Sequence, residues 1–120
     1  MKILNTLFRS LLLLVCAMSL MSFTVVIDAG HGGNDAGAIG LVKGTQEKHL
    51  NLSVAKQLAA KIRATYPEVK VVLTRETDVF LPLQQRADIV NKNHADLFIS
   101  IHTNAAENRK ACGAETFILG

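Results

Sequence analysis

Cysteine is scarce in this 120-residue chain, which contains only Cys16 and Cys112. Cys16 lies in an amino-terminal segment that we expect to be cleaved off, so the mature chain keeps one thiol. A single thiol excludes an internal disulfide, although an exported protein would permit one. Internal repeats, low-complexity tracts and long linkers are also absent, and the length allows one domain.

An excess of basic charge is absent as well. Lys2 and Arg9 belong to the amino-terminal segment, and without them 11 basic residues remain against 10 acidic ones, a net charge of +1. A surface that binds phosphates would need a basic patch, which this sequence lacks. The composition therefore argues against a nucleic-acid partner.

The first 22 residues have the pattern of an export signal. Lys2 and Arg9 are followed by an apolar run at residues 11–21. Within it, Ala17 and Ser19 are the two small residues of a small-x-small cleavage motif. The run is shorter than the roughly 20 residues of a membrane-spanning helix. We predict a signal peptide at residues 1–22 and a domain at residues 23–120. That domain would work in the periplasm or at the extracellular cell envelope, without stable membrane insertion; an uncleaved anchor is the alternative.

Strand and helix patterns alternate along the remaining chain. Short apolar runs predict three strands, of which the third should be central, and a fourth strand is predicted near the end. The predicted strands are residues 25–27, 69–73, 96–101 and 113–119. Apolar residues at three-and-four spacing predict a helix at residues 46–64 with Thr45 as its N-cap, and Pro82 suits the start of a second helix ending near residue 94.

A strand, helix and strand in succession should give parallel strands with a right-handed crossover. The predicted fold class is therefore α/β, a three-layer α/β/α sandwich around a mixed, mainly parallel sheet. Such a sheet normally has more strands or covering helices than this sequence supplies. We therefore expect the domain to be incomplete at residue 120.

Two histidines follow predicted strands. His31 lies in FTVVIDAGHGGNDAG (residues 23–37) among four glycines, and His102 follows DLFISI. Open α/β sheets usually keep their ligands at the carboxyl ends of strands. A lone histidine there is usually structural. Glu47 falls in the first helical turn, where its carboxylate either only stabilises the helix or is held at the mouth of the sheet.

Together, two imidazoles and one carboxylate form the ligand set of a catalytic zinc site with one open position. Nitrogen donors suit zinc better than magnesium or calcium, which prefer oxygen. Zinc bound in this way acidifies its water and polarises a carbonyl oxygen, and amide hydrolysis uses both effects.

Three sequence blocks carry a family resemblance. VVIDAGHGGNDAGAIG, QEKHLNLSVAKQLAAKI and VVLTRETDVFLPLQQRADIVNKNHADLFISIHTNA resemble the zinc-dependent N-acetylmuramoyl-L-alanine amidases of the amidase-3 type, and the likeness runs over residues 25–119. The resemblance implies Zn²⁺ held by His31, Glu47 and His102. It also implies hydrolysis of the amide between N-acetylmuramic acid and L-alanine in peptidoglycan, with an activator protein as a further candidate partner.

The resemblance leaves the general base unassigned. In the family a glutamate on a later strand has this role, but Glu107 and Glu115 are the only acidic residues after His102 and neither matches it. We expect that glutamate beyond residue 120. Two alternative functions follow: a peptidoglycan-binding fragment without turnover, or a different zinc peptidase that cuts within the stem peptide.

Several other polar residues carry weaker expectations. His49 matches no family ligand, and His94 is expected to be a cation at a helix end. Arg75 either binds an anionic ligand or, more commonly, pairs with Asp78. Five residues match family positions, although loop-shaping and hydrogen-bonding roles explain them equally well. They are Asp28, Asn51, Arg75, Arg86 and Asn104.

Overall fold

The computed structural model describes residues 22–106, 108 and 110–118. The predicted signal peptide lies outside the described residues, apart from Ser22. Strands and helices alternate in the described part, in the order β1 (Thr24–Ala29), α1 (Glu47–Thr65), β2 (Lys70–Leu73), α2 (Leu83–Lys92) and β3 (Leu97–Ile101). None of the helices in this part is both long enough and apolar enough to cross a membrane.

The three strands form a parallel sheet in the order β2-β1-β3. In the register, Thr24 lies opposite Lys70 and Val25 opposite Leu97. Strand β1 is central and all six of its residues are buried. Strand β3 lies at an edge of the described sheet, so the predicted central position is not observed. Its continuous apolar run signals burial, but an apolar run cannot show which neighbour would supply that burial.

Helix α1 covers one face of the sheet. Successive strand side chains point to opposite faces, and Val25, Ile27 and Ala29 of β1 pack in one buried cluster with Ala55 and Ala59 of α1. Small alanines let the helix approach the strand closely. This cluster is the core of the described part, and it fixes the start of α1 relative to the end of β1.

The start of α1 differs from the prediction in its cap. The N-cap residue is Gln46, which makes no side-chain cap hydrogen bond, and Thr45 precedes it. Instead, the backbone N–H groups of Glu47 and Lys48 donate to the carbonyls of Ala38 and Ala36 at 2.9 and 3.2 Å. The glycine-rich loop therefore satisfies the helix terminus, which a local cap pattern cannot reveal.

Helix α2 lies on the side of the opposite face, to which its one buried residue, Arg86, connects it. Asp28 of β1 points away from the α1 cluster and pairs with Arg86 of α2. The two helices therefore flank a sheet, and the predicted α/β/α class is confirmed, with parallel pairing throughout the described strands. Helix α2 begins directly after Pro82 and is followed by His94 with a positive φ of 48°.

The predicted fourth strand is not observed. Residues 113–118 form no strand, and Phe117 and Ile118 are 83% and 87% exposed. The segment has the apolar composition of a strand, but a strand also needs a partner with free backbone groups. Within the described part of the chain, the segment pairs with none.

Candidate metal centre

Two histidines meet because of the sheet register. Ala29 lies opposite Ile101, and the N–H of Gly30 donates to the carbonyl of Ile101 at 3.0 Å. His31 and His102 follow these paired ends of β1 and β3. Their ring centroids are 4.9 Å apart with an interplanar angle of 81°. The structure therefore brings these two predicted site residues together at the carboxyl edge of the sheet.

Glu47 lies between the two imidazoles. Its Oε1 is 3.3 Å from Nε2 of His31 and 3.1 Å from Nδ1 of His102. One ligand atom from each of the three residues lies within 4.8 Å of the others. Ligands about 2.0–2.1 Å from a tetrahedral zinc ion would be about 3.3–3.4 Å apart. The donor types and their spacing thus fit a divalent cation.

Hydrogen bonds keep the Glu47 carboxyl group ionised. Burial raises its pKa, but donors on three sides outweigh this effect and the pKa is lowered overall. Ala38 N–H donates to Oε2 at 2.8 Å, while Thr103 N–H and the Asn51 amide donate to Oε1 at 3.0 and 3.3 Å. A carboxylate in these contacts is both anionic and fixed in orientation, as a metal ligand requires.

The backbone of His31 adopts an unusual conformation. Its φ is +63°, a region that non-glycine residues rarely occupy. Arg86 Nη2 donates to its carbonyl at 2.9 Å, and its ring Nδ1 lies 2.9 Å from Oδ2 of Asp35. These contacts hold both the backbone and the ring.

Asp35 was not among the residues selected from the sequence. The hydrogen bond to His31 lowers the pKa of Asp35, and the Gly37 N–H lowers it further. The only sequence signal was an aspartate four residues after the histidine in a glycine-rich loop. That spacing has no fixed meaning outside a helix, because the loop path decides whether the two side chains meet.

Two glycines allow the histidines and the glutamate to approach the loop. A Cβ at Gly30 would lie 2.3 Å from Cε1 of His102. At Gly37, where φ is +65°, a Cβ would lie 2.6 Å from Cδ2 of His31 and 2.8 Å from Oε2 of Glu47. Both positions therefore need glycine for the three donor residues to pack this closely.

Two buried arginines bind the backbone around the site. Arg75 donates to the carbonyls of Ala29, Gly30 and Lys48 at 2.9, 3.0 and 2.8 Å. The predicted pairing of Arg75 with Asp78 is wrong, because Asp78 accepts from Lys48 Nζ instead, at 2.7 Å. The guanidinium fork can satisfy several carbonyls at once, which suits this position at the end of β1.

The remaining family-matched residues mostly have hydrogen-bonding roles. Asn51, which is fully buried, joins Gly30, Glu47 and Thr103. Asp28 accepts from Arg86, while Asn104 is exposed. His49 lies 3.4 Å from Asp78 and is not one of the three clustered donor residues, in agreement with the prediction.

Comparison with known proteins identifies the family. The family model described as N-acetylmuramoyl-L-alanine amidase, amidase 3, matches residues 25–119. The chain belongs to this family. It is 47% identical over 95 residues to N-acetylmuramoyl-L-alanine amidase AmiA of Salmonella typhimurium, covering 79% of this chain and 32% of that protein. The amidase-3 chain thus spans about a third of the length of this relative.

Solved structures support the same assignment. The catalytic domain of the amidase CwlV from Bacillus (Paenibacillus) polymyxa var. colistinus matches with a TM-score of 0.69 and 40% identity, over 74% of this chain and 49% of that one. The CwlD amidase of Clostridioides difficile, solved in complex with the GerS lipoprotein, matches with a TM-score of 0.59 and 36% identity. That match covers 74% of this chain and 52% of CwlD. The amidase-3 chain covers about half of each structure.

Of the two glutamates after His102, only Glu115 belongs to the described part of the chain. Glu107 lies outside the described residues, and Glu115 is exposed in the segment that forms no strand. Both carboxylate oxygens of Glu47 already accept hydrogen bonds, from the N–H groups of Ala38 and Thr103. A general base is therefore not assigned within the described part.

Proposed function

We propose that this protein is a zinc-dependent N-acetylmuramoyl-L-alanine amidase that cuts peptidoglycan in the periplasm or at the cell envelope, after export directed by residues 1–22. The bond cut would be the amide between N-acetylmuramic acid and L-alanine. The observation that carries the proposal is the convergence of His31, Glu47 and His102, with donor atoms within 4.8 Å. Membership of the amidase-3 family supports the substrate.

In this proposal, the three residues hold Zn²⁺ and leave one position open. Bound zinc would polarise the carbonyl of the scissile amide and lower the pKa of a bound water molecule. Glu47 contributes a carboxylate whose orientation three hydrogen-bond donors fix, and each histidine contributes one imidazole nitrogen. A cleft of about 630 Å³ adjoins the site at His31 and His102, and most of its lining is apolar, including Phe80, Leu83 and Phe98.

We further propose that a glutamate outside these 120 residues is the general base. Loss of a general base costs roughly a hundredfold to ten-thousandfold in rate. The 120-residue chain should therefore bind zinc and hydrolyse slowly, and a form continued along its reading frame should hydrolyse faster. Equal activity of the two forms would show that no external base is needed.

The function can be tested on purified, dye-labelled peptidoglycan. We expect zinc-dependent dye release that a chelator abolishes, and mass spectrometry should find products with a free L-alanine amino terminus and muramic acid without peptide. Cleavage inside the stem peptide would instead indicate a different zinc peptidase. Binding to the sacculus without release, even by the continued form, would indicate a non-catalytic binding protein.

An activator protein is also proposed. The CwlD structure contains the GerS lipoprotein, which supports a protein partner for a chain of this family. If an activator is required, the continued form should release dye faster when envelope proteins from the same cells are added. A rate unchanged by such an extract would argue against one.

A further inference from the structure

We propose that Asp35 is a positioning residue that fixes the tautomer and ring orientation of His31, so that Nε2 of His31 faces the metal position beside Glu47. This inference rests on the proposed zinc function and assigns a role to a residue outside the predicted ligand set. Asp35 would act through His31 and would not itself touch the metal.

The geometry separates the two nitrogens of the His31 ring. Nδ1 lies 2.9 Å from Oδ2 of Asp35, and Nε2 lies 3.3 Å from Oε1 of Glu47. A neutral imidazole has one N–H donor and one acceptor nitrogen, and an ionised carboxylate only accepts. Both ring nitrogens face a carboxylate, and the contact with Asp35 is the shorter one, at 2.9 Å against 3.3 Å, so it places the proton on Nδ1 and leaves the lone pair on Nε2. A lone pair at Nε2 is what a metal needs.

Asp35 is itself held in place by the glycine-rich loop. Its Oδ1 accepts from the Gly37 N–H at 3.1 Å. Its backbone exchanges two hydrogen bonds with Gly32, at 2.9 and 3.0 Å. Its side chain is 45% exposed, so packing alone would not hold it. The loop therefore sets the position of the carboxylate, and the carboxylate sets the ring of His31.

Both carboxylate oxygens of Asp35 act as acceptors, which makes asparagine an informative replacement. The asparagine side chain has the same shape but only one acceptor oxygen, so its NH₂ group would face either the Gly37 N–H or the His31 ring. Asp35→Asn therefore removes one of the two contacts without changing side-chain volume. Asp88→Asn is the matched control, because Asp88 is exposed on α2 and bonds to Gln84.

The first measurement is zinc affinity by competition with a chelating dye. Loss of an outer carboxylate partner typically weakens metal binding by about 10–100-fold. We expect a loss in this range for Asp35→Asn and none for Asp88→Asn. If Asp35→Asn and Asp35→Ala, which has no acceptor oxygen, both keep an affinity within about threefold of wild type, the proposal is overturned, since this lies below the expected range.

The second measurement needs no metal, and its first comparison uses the wild-type chain alone. Nitrogen NMR of the metal-free wild-type chain, at about pH 8.5 and above the ordinary titration of histidine, should show His31 protonated at Nδ1. In folded Asp35→Asn the Nε2-protonated form should gain population, which a merely structural role would not produce. A wild-type His31 protonated at Nε2 would overturn the proposal even if the variant does not fold.

The two proposals fail separately. If the wild-type chain binds no zinc, the proposed metal function is wrong, while the tautomer in the metal-free chain still decides the role of Asp35. If wild type binds zinc and the tautomer does not depend on Asp35, only the positioning proposal is wrong.

Discussion

At the scale of single residues, the site depends on glycines, which have no side chain, as well as on the three donor residues. Gly37 adopts a positive φ and lies against both His31 and Glu47, whereas Gly44 adopts a positive φ of 87° with nothing within 4 Å of a Cβ. A Cβ would strain the backbone at both glycines, but only at Gly37 would it also collide with donor residues.

Alanine at these two glycines should therefore have different effects. Both Gly37→Ala and Gly44→Ala should lower the free energy of unfolding by roughly 1–2 kcal/mol, the cost of a left-handed backbone with a Cβ. Only Gly37→Ala should also weaken zinc binding, by about tenfold or more, because its Cβ displaces two donors. Urea denaturation and zinc titration measure the two effects. Equal zinc affinity of the variants would contradict the proposed crowding.

The sequence predicted the positions of the three donor residues well and their supporting contacts poorly. His31 and His102 could be placed because parallel strands end at one edge, and Glu47 because a helix start follows the loop. Asp35 could not, since its contact with His31 depends on the path of the loop between Gly32 and Glu47. The carbonyl contacts of Arg75 could not either, since they depend on how the segment after β2 lies against the end of β1 and the start of α1. The pairing of Arg75 with Asp78 failed for the same reason.

At the scale of the elements, one carboxylate joins the strands to α2. Asp28 at the end of β1 accepts from Arg86 of α2, from Thr74 after β2 at 2.6 Å and from Ser100 of β3 at 2.9 Å. Arg86 also donates to the carbonyl of His31. This buried pair therefore connects the stability of the fold with the geometry of the site.

Removing one partner of this pair should destabilise the protein. Arg86→Met leaves the buried Asp28 carboxylate without its cation, and we expect a loss of roughly 3–5 kcal/mol in the free energy of unfolding. Asp28→Asn in the same chain should recover part of that loss. Arg63→Met is the control, because Arg63 is exposed and donates to one carbonyl. Denaturant unfolding gives the free energies of unfolding of wild type, the two single variants and the double variant. A loss in Arg86→Met no larger than that in Arg63→Met would contradict the prediction.

Asp78 connects the segment after β2 with α1 and the glycine-rich loop, and it should make stability depend on acid. Hydrogen bonds from Lys48 and from the Gly33 N–H lower its pKa from 3.8 to about 2. A carboxyl group whose pKa is lower in the folded state contributes stability above its unfolded pKa. That contribution is lost as the pH falls through the folded pKa.

Wild type should therefore lose stability between pH 3.8 and about 2 more steeply than Asp78→Asn. Denaturant unfolding across this range measures the difference. Because Asp78 is exposed, high salt should reduce the difference. Parallel profiles at low salt would show that the contact with Lys48 adds no acid-dependent stability.

Element types were more predictable than element neighbours. Periodicity placed α1 at residues 46–64, and the structure has Glu47–Thr65. The central position of β3, the fourth strand at residues 113–119 and the Thr45 cap were wrong, because each depends on what lies beside the segment. Local patterns carry no information on that neighbour.

At the scale of the whole molecule, the site joins segments that are far apart in the chain. His31 follows β1, Glu47 begins α1 and His102 follows β3, so a shared ion would link three elements. An ion that binds only the folded state stabilises it by about 2.7 kcal/mol at a hundredfold excess over its dissociation constant. Thermal unfolding should therefore shift upward with zinc in wild type but not in His31→Ala. Magnesium should give no shift, and an equal shift with magnesium would contradict a nitrogen-containing site.

The most direct measurement is the zinc content of the dialysed chain by elemental mass spectrometry, in a Cys112→Ser background so that the exposed thiol adds no site. We predict one zinc ion per chain, retained by Asp88→Asn, lost in His31→Ala and His102→Ala, and bound more weakly in Glu47→Gln. A His31→Ala or His102→Ala chain that keeps one zinc ion would contradict the proposed centre.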